Sequence, residues 1–182
     1  MPKTILLGIS GGIAAYKCCE LTRMLVADGL DVHVLLTQAA EQFVTPLTLQ
    51  TLSGNPVHRA LFNLTDEQKI SHIALAARAA LVLVAPATAN LLAKVAHGLC
   101  DDLLTTVICA TRAPVLFAPA MNTQMWENPI TQANVERLRT HGYTIIPPEH
   151  GDLACGTCGE GRLPEPETLR TIVQQQLRTL TK

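Results

Sequence analysis

The chain has 182 residues, of which 48% are hydrophobic and 16% charged, and its formal net charge is -1. That length and apolar content can bury a sizeable core, which excludes a disordered tail or a low-complexity linker. No basic stripe provides the electrostatic footprint of a nucleic-acid binder, no apolar run approaches a membrane span, and the short run Ile5–Ile9 is no secretory leader, so the expected location is the cytoplasm.

Taken in chain order, Thr4–Ile9 reads as a buried strand, followed by helical periodicity from Ile13 to Ala27 that stops at Asp28-Gly29. Val32–Leu36 and Leu81–Val84 are the next strands, and the latter leads into a helix over Thr88–Ala96. A helix over Asp101–Ala110 precedes a strand at Val115–Ala118. A helix over Pro129–Thr140, stopped by Gly142, precedes a strand at Tyr143–Ile146. Alternating strands and helices predict a parallel sheet covered on both faces, an α/β three-layer sandwich forming a single domain over 1–182. The stretch 147–166 carries Pro147, Pro148, Gly151, Gly156, Gly159, Gly161, Pro164 and Pro166, which forbid a long helix or a central strand and predict a structureless flap. The chain closes on an amphipathic helix over Glu167–Leu180. Aromatics make up only 3% of the chain, so the core must be aliphatic; Cys18, Cys19, Cys100 and Cys109 read as buried thiols.

Polar residues gather at predicted strand ends. Ser10-Gly11-Gly12 follows the first strand and opens the first helix, where bare peptides and a helix N-terminus can cradle a phosphate; the equally available reading is a tight turn that needs glycine for packing. Its spacing fits neither the dinucleotide fingerprint nor a P-loop. Thr37 follows the second strand, and Ala87, Thr88 and Asn90 follow the third, at the edge where open α/β sheets bind ligands. Helix capping is the competing role for these hydroxyls and for the amide. After the fourth strand, Pro119-Ala120-Met121-Asn122-Thr123-Gln124-Met125-Trp126 brings an amide able to donate to a carboxylate, whereas Met and Trp at such positions are commonly core filler.

The flap holds Ala154-Cys155-Gly156-Thr157-Cys158. A zinc site using Cys155, Cys158, His141 and His150 has irregular spacing, and a redox pair would open a helix, which the flanking glycines oppose. A single working thiol remains. An ordinary thiol with a pKa of about 8.5 is mostly protonated near neutral pH. His72, within Ile70-Ser71-His72-Ile73, is a structural histidine or a proton carrier.

These motifs, spread over nearly the whole chain, resemble the flavoprotein family of cysteine decarboxylases. The resemblance rests on Ser10–Lys17, Ser71-His72, Pro86–Asn90, Pro119–Trp126 and Ala154–Arg162. It implies a Rossmann-like, flavodoxin-like fold with a flexible Cys-bearing flap, binding FMN, and the decarboxylation of 4′-phosphopantothenoylcysteine to 4′-phosphopantetheine in coenzyme A biosynthesis. By the same resemblance the cysteine thiol is oxidised to a thioaldehyde, CO2 leaves, and the ene-thiol is reduced back. His72, Asn122 and Cys155 are then the catalytic residues. Ser10, Gly11, Gly12, Thr37, Ala87, Thr88 and Asn90 lie around FMN, and Met121, Asn122, Ala154 and Gly156 contact substrate. Cys158 has no role and no metal is implied. The family builds its site between subunits, which implies a homotrimer or a dodecamer of trimers. Relatives are also fused to a ligase domain that makes the substrate. Two other readings stand beside this one: a decarboxylase of peptidyl C-terminal cysteine, and a non-catalytic FMN-binding regulator.

Overall fold

The computed structural model describes residues 2–61 and 72–180. Ile70 and Ser71 therefore lie outside the described residues. Strands β1 (Thr4–Ile9), β2 (Asp31–Leu36), β3 (Leu81–Ala87), β4 (Val115–Pro119) and β5 (Thr144–Ile145) form a parallel sheet in the order β2-β1-β3-β4-β5. Register runs Ile5↔Val32 on one side of β1 and Ile5↔Leu81 on the other. This is the doubly wound order, with its topological switch between β1 and β3.

All residues of β1, β3 and β4 are buried, as near-continuous apolar runs require when helices cover both faces. Alternation splits them between two cores. Ile5, Leu7, Ile9, Leu81 and Leu83 pack on one face with α1 (Lys17–Ala27) and α8 (Pro166–Thr179), through Leu21, Leu25, Leu169 and Val173. Leu6, Val82, Val84 and Phe117 pack on the other with α3 (His72–Arg78), α4 (Ala89–Ala96), α5 (Leu103–Ala110) and α7 (Pro129–Thr140). Two further helices are α2 (Pro46–Ser53), capped by Thr45 and ended by Gly54 at φ 70°, and the single turn α6 (Thr123–Trp126).

The predicted helix over Ile13–Ala27 divides: a 3-10 turn over Ile13–Tyr16 precedes α1, and Ile13 and Tyr16 stay exposed. The expectation of a structureless flap is corrected. Residues Glu149–Asp152 (β6) and Cys158–Arg162 (β7) pair as an antiparallel hairpin. Gly156 N–H donates to Leu153 O (2.9 Å), Leu153 N–H donates to Thr157 O (2.8 Å), and Gly156 takes φ 82°, so a tight turn carries Ala154-Cys155-Gly156 at the tip. The glycines that forbid a central strand suit one docked edge on. Cys100 and Cys109 are also corrected: both are exposed, while Cys18 is buried and donates to Ala85 O (2.9 Å).

Candidate functional site

A cavity of about 660 Å³ opens beyond the carboxyl ends of β1 and β3, at the switch point. One wall is Gly11, Gly12, Ile13 and Ala14, with Tyr16 and Lys17 behind them; Thr88 and Ala89 form the next. Ala120, Met121, Asn122 and Met125 come from the end of β4 and α6, and the hairpin adds Asp152–Cys155 and Gly161–Leu163. Segments far apart in the chain thus meet because successive crossovers deliver strand ends to one edge of the sheet.

The glycine turn is built for close approach. A Cβ on Gly11 would lie 2.5 Å from Ala39 Cβ, so this position can pass beside the 37–42 segment only as glycine. A Cβ on Gly12 would stand 3.7 Å from Thr88 Cγ2, in the gap between two helix starts. The Ser10 hydroxyl donates to Pro86 O (2.7 Å) and accepts from Thr88 N–H (3.0 Å), tying β1 to the start of α4. The Thr88 hydroxyl caps α4 by accepting from Leu91 N–H (3.3 Å).

Ser10 is buried behind this wall rather than in it, and the remaining expected cofactor residues also stand off it. Ala87 is fully buried in β3, Asn90 is exposed on α4, and the Thr37 hydroxyl accepts from Ala40 N–H (3.3 Å). Of the expected catalytic residues, Asn122 and Cys155 meet. Asn122 Nδ2 donates to Cys155 Sγ (3.3 Å), while its Oδ1 accepts from Gln124 N–H (2.8 Å) as the cap of α6. Because the backbone donor claims Oδ1, the amide is oriented with its N–H groups toward the cavity. His72 begins α3 and is not among the cavity's lining residues; one chain does not bring it to Asn122 and Cys155.

Cys155 Sγ also sits 3.1 Å from Thr157 Oγ1. Hydrogen bonds from the Thr157 side chain and backbone, and then from Asn122, stabilise the thiolate and lower the pKa to about 7. This corrects the expectation of an ordinary, largely protonated thiol: near neutrality both forms coexist. Alternation along β7 puts Cys158 and Glu160 on the face opposite Gly159 and Gly161, away from Asn122. Among the described residues no group of three or more His, Cys, Asp or Glu is placed to hold a metal.

The hairpin is keyed to α6 by its glycines. Met121 N–H donates to Gly161 O (2.9 Å), and a Cβ on Gly161 would fall 2.1 Å from Met121 O; one on Gly159 would fall 2.3 Å from Thr123 Oγ1. At the hairpin base Lys17 Nζ donates to Leu163 O (3.2 Å) and to Glu165 (3.0 Å), and Arg162 pairs with the same carboxylate. The hydrogen bond from Lys17 is the main cause of the lowered Glu165 pKa. Sequence reasoning passed over this triad. Arg162 and Glu165 carry an i,i+3 signal, but Lys17 is 148 residues from Glu165 and its partner is invisible before folding.

The sequence profile described as Flavoprotein matches residues 1–178. The Coenzyme A biosynthesis bifunctional protein CoaBC of Vibrio cholerae is 55% identical over 167 residues, covering 92% of this chain and 42% of that protein. The chain thus spans about two fifths of the length of such bifunctional relatives. A "Probable phosphopantothenoylcysteine decarboxylase" of Streptococcus mutans is 50% identical over 179 residues, covering 97% of this chain and 100% of that one. Among solved structures, a PPC decarboxylase mutant complexed with pantothenoylaminoethenethiol superposes with a TM-score of 0.84 at 34% identity, over 96% of this chain and 98% of that one. The FMN binding protein AtHal3 superposes with a TM-score of 0.80 at 34% identity, over 96% of each chain.

Proposed function

The chain belongs to the Flavoprotein family, and from that premise we propose that it decarboxylates 4′-phosphopantothenoylcysteine to 4′-phosphopantetheine with FMN as cofactor. The observation that carries this reading is the meeting of an oriented amide and a free thiol, Asn122 and Cys155, at 3.3 Å in a cavity at the switch point of the sheet.

The residues present suit a flavin mononucleotide. Gly12, where an added Cβ would still stand 3.7 Å from its nearest neighbour, lets a phosphate approach the backbone, and the starts of the 3-10 turn and of α4 both line the cavity, where helix N-termini favour an anion. The volume lies within the range of small-molecule sites, roughly 300–1,000 Å³. When bound, FMN would supply a reversible two-electron acceptor for oxidation of the substrate's thiol. The chain does the rest. Asn122 holds the substrate carboxylate through Nδ2, with its orientation fixed by Gln124 N–H. Met121, Met125, Leu153 and Leu163 wall the cavity with apolar surface, which disfavours a charged carboxylate and favours its departure as CO2. Cys155 then gives its thiol proton to the carbon that the carboxylate left, and Thr157 and Asn122 stabilise the resulting thiolate. His72, which one chain leaves off the cavity, comes from a neighbouring copy in a homotrimer or in a dodecamer of trimers and assists the oxidative and decarboxylation steps. A cytoplasmic location, where the substrate's thiol stays reduced, is part of this proposal.

Mass spectrometry of 4′-phosphopantothenoylcysteine incubated with FMN-loaded protein tests the proposal. The expected product has lost the mass of CO2. An unchanged substrate overturns the reading, and turnover of a cysteine-terminated peptide in its place would reassign the substrate.

A further inference from the structure

Two thiols outside the cavity form a second sulfur site. Cys100 lies in the connection between α4 and α5, and Cys109 lies in the last turn of α5; both are exposed. Three observations bring them together. Cys100 Sγ lies 3.8 Å from Thr105 O, and Thr106 Oγ1 donates to Cys100 O (3.3 Å), so Cys100 is pinned against the 105–106 turn. In an α-helix Cys109 stands one turn further on, four and three positions from those residues, and its side chain leans back toward the helix N-terminus over them. Burial is the first cause of the raised Cys100 pKa and interaction with the Cys109 side chain is the next, as two neighbouring thiols would show. Nothing in the proposed decarboxylation uses either sulfur.

We propose that Cys100 and Cys109 are a reversible dithiol site that a hydroperoxide oxidises to an intrachain disulfide, tying the α4–α5 connection to the end of α5. The Cys109 sulfur attacks the peroxide, the O–O bond breaks, and a sulfenic acid forms with release of water. The Cys100 sulfur then displaces the sulfenic oxygen: the S–S bond forms, the S–O bond breaks, and the Cys100 proton leaves with the oxygen as a second water. Two thiols lose two electrons and two protons, and hydrogen peroxide becomes two molecules of water. Thiol reductants reverse the reaction.

The test is peptide mapping of the folded full chain after treatment with hydrogen peroxide, without reductant, with remaining thiols alkylated. The expected result is a cross-linked pair of peptides holding Cys100 and Cys109, two hydrogens lighter than the sum and separated again by dithiothreitol. The variants C100S and C109S should each lose this species, and C109S should leave Cys100 open to alkylation. Recovery of Cys100 and Cys109 alkylated separately, or oxidised separately to sulfinic acids, overturns the proposal, as does a disulfide to Cys155 or Cys158. The wild-type map decides the matter even if a variant fails to fold, and it is independent of decarboxylase activity.

Discussion

Cys155 differs from the buried Cys18 in the company its sulfur keeps. Burial, the largest cause, drives the Cys18 thiol far upward, whereas Cys155 faces solvent with Thr157 and Asn122 as partners. Its alkylation by iodoacetamide should follow a titration centred near pH 7, and T157V should move that midpoint toward the ordinary thiol value of about 8.5. N122A should move it in the same direction by less, because the Asn122 bond is the smaller cause. The sign matters for catalysis. A proton donor with a pKa near 7 loses its proton as pH rises through that value, so the protonation step should slow above pH 7 in the wild type and at higher pH in T157V. The C155S variant should keep FMN binding yet accumulate oxidised product after CO2 loss, read by flavin absorbance and mass spectrometry; normal turnover would show that the thiol is not the donor. The flap motif by itself singled out Cys155 as the candidate working thiol. That its pKa is lowered could not be read there, because the tight turn that sets Thr157 against the sulfur, and the contact with Asn122 33 residues away, exist only once the hairpin is folded and docked.

The β6–β7 hairpin has little side-chain mass to hold it, so its placement depends on backbone fit. G161A would put a methyl group 2.1 Å from Met121 O and force the hairpin off α6. The expected outcome is folded protein, by circular dichroism, with a Cys155 alkylation midpoint shifted upward because the Asn122 contact is lost. Helix ends were legible because their signals are local: Asn128 and Pro129 start α7 at the position that the sequence indicates. Asp102 and Thr105 form a capping box for α5, so D102A should cost about 1 kcal/mol in chemical denaturation. The hairpin escaped the reading because glycine-rich, proline-flanked sequence looks like coil until a docking surface makes bare backbone an advantage.

At the scale of the whole molecule, the two aliphatic cores decide stability and the proposed assembly decides activity. Phe117, fully buried on β4 and edge-on to Tyr143 with ring centroids 5.6 Å apart, fills the face covered by α4, α5 and α7. F117A should therefore destabilise the fold by about 3–5 kcal/mol, measured by urea unfolding. His72 poses the assembly question. If His72 and Cys155 serve one site from different chains, H72N and C155S homo-oligomers should each be impaired, and refolding them together should restore a fraction of wild-type turnover. No recovery in verified mixed oligomers would place both residues in one chain's site or remove His72 from the mechanism.

Strand sequence, helix ends and strand-end polar motifs together determined the α/β class, the parallel sheet and most of the segments that line the cavity, because apolar periodicity and capping act over a few residues. Tertiary structure alone decided which segments meet. It joined the glycine turn to Thr88, Asn122 to Cys155, and Lys17 to Glu165, and it turned Cys100 and Cys109 outward. Those partnerships span up to 148 residues, and they exist only once strand order carries distant segments to one edge of the sheet.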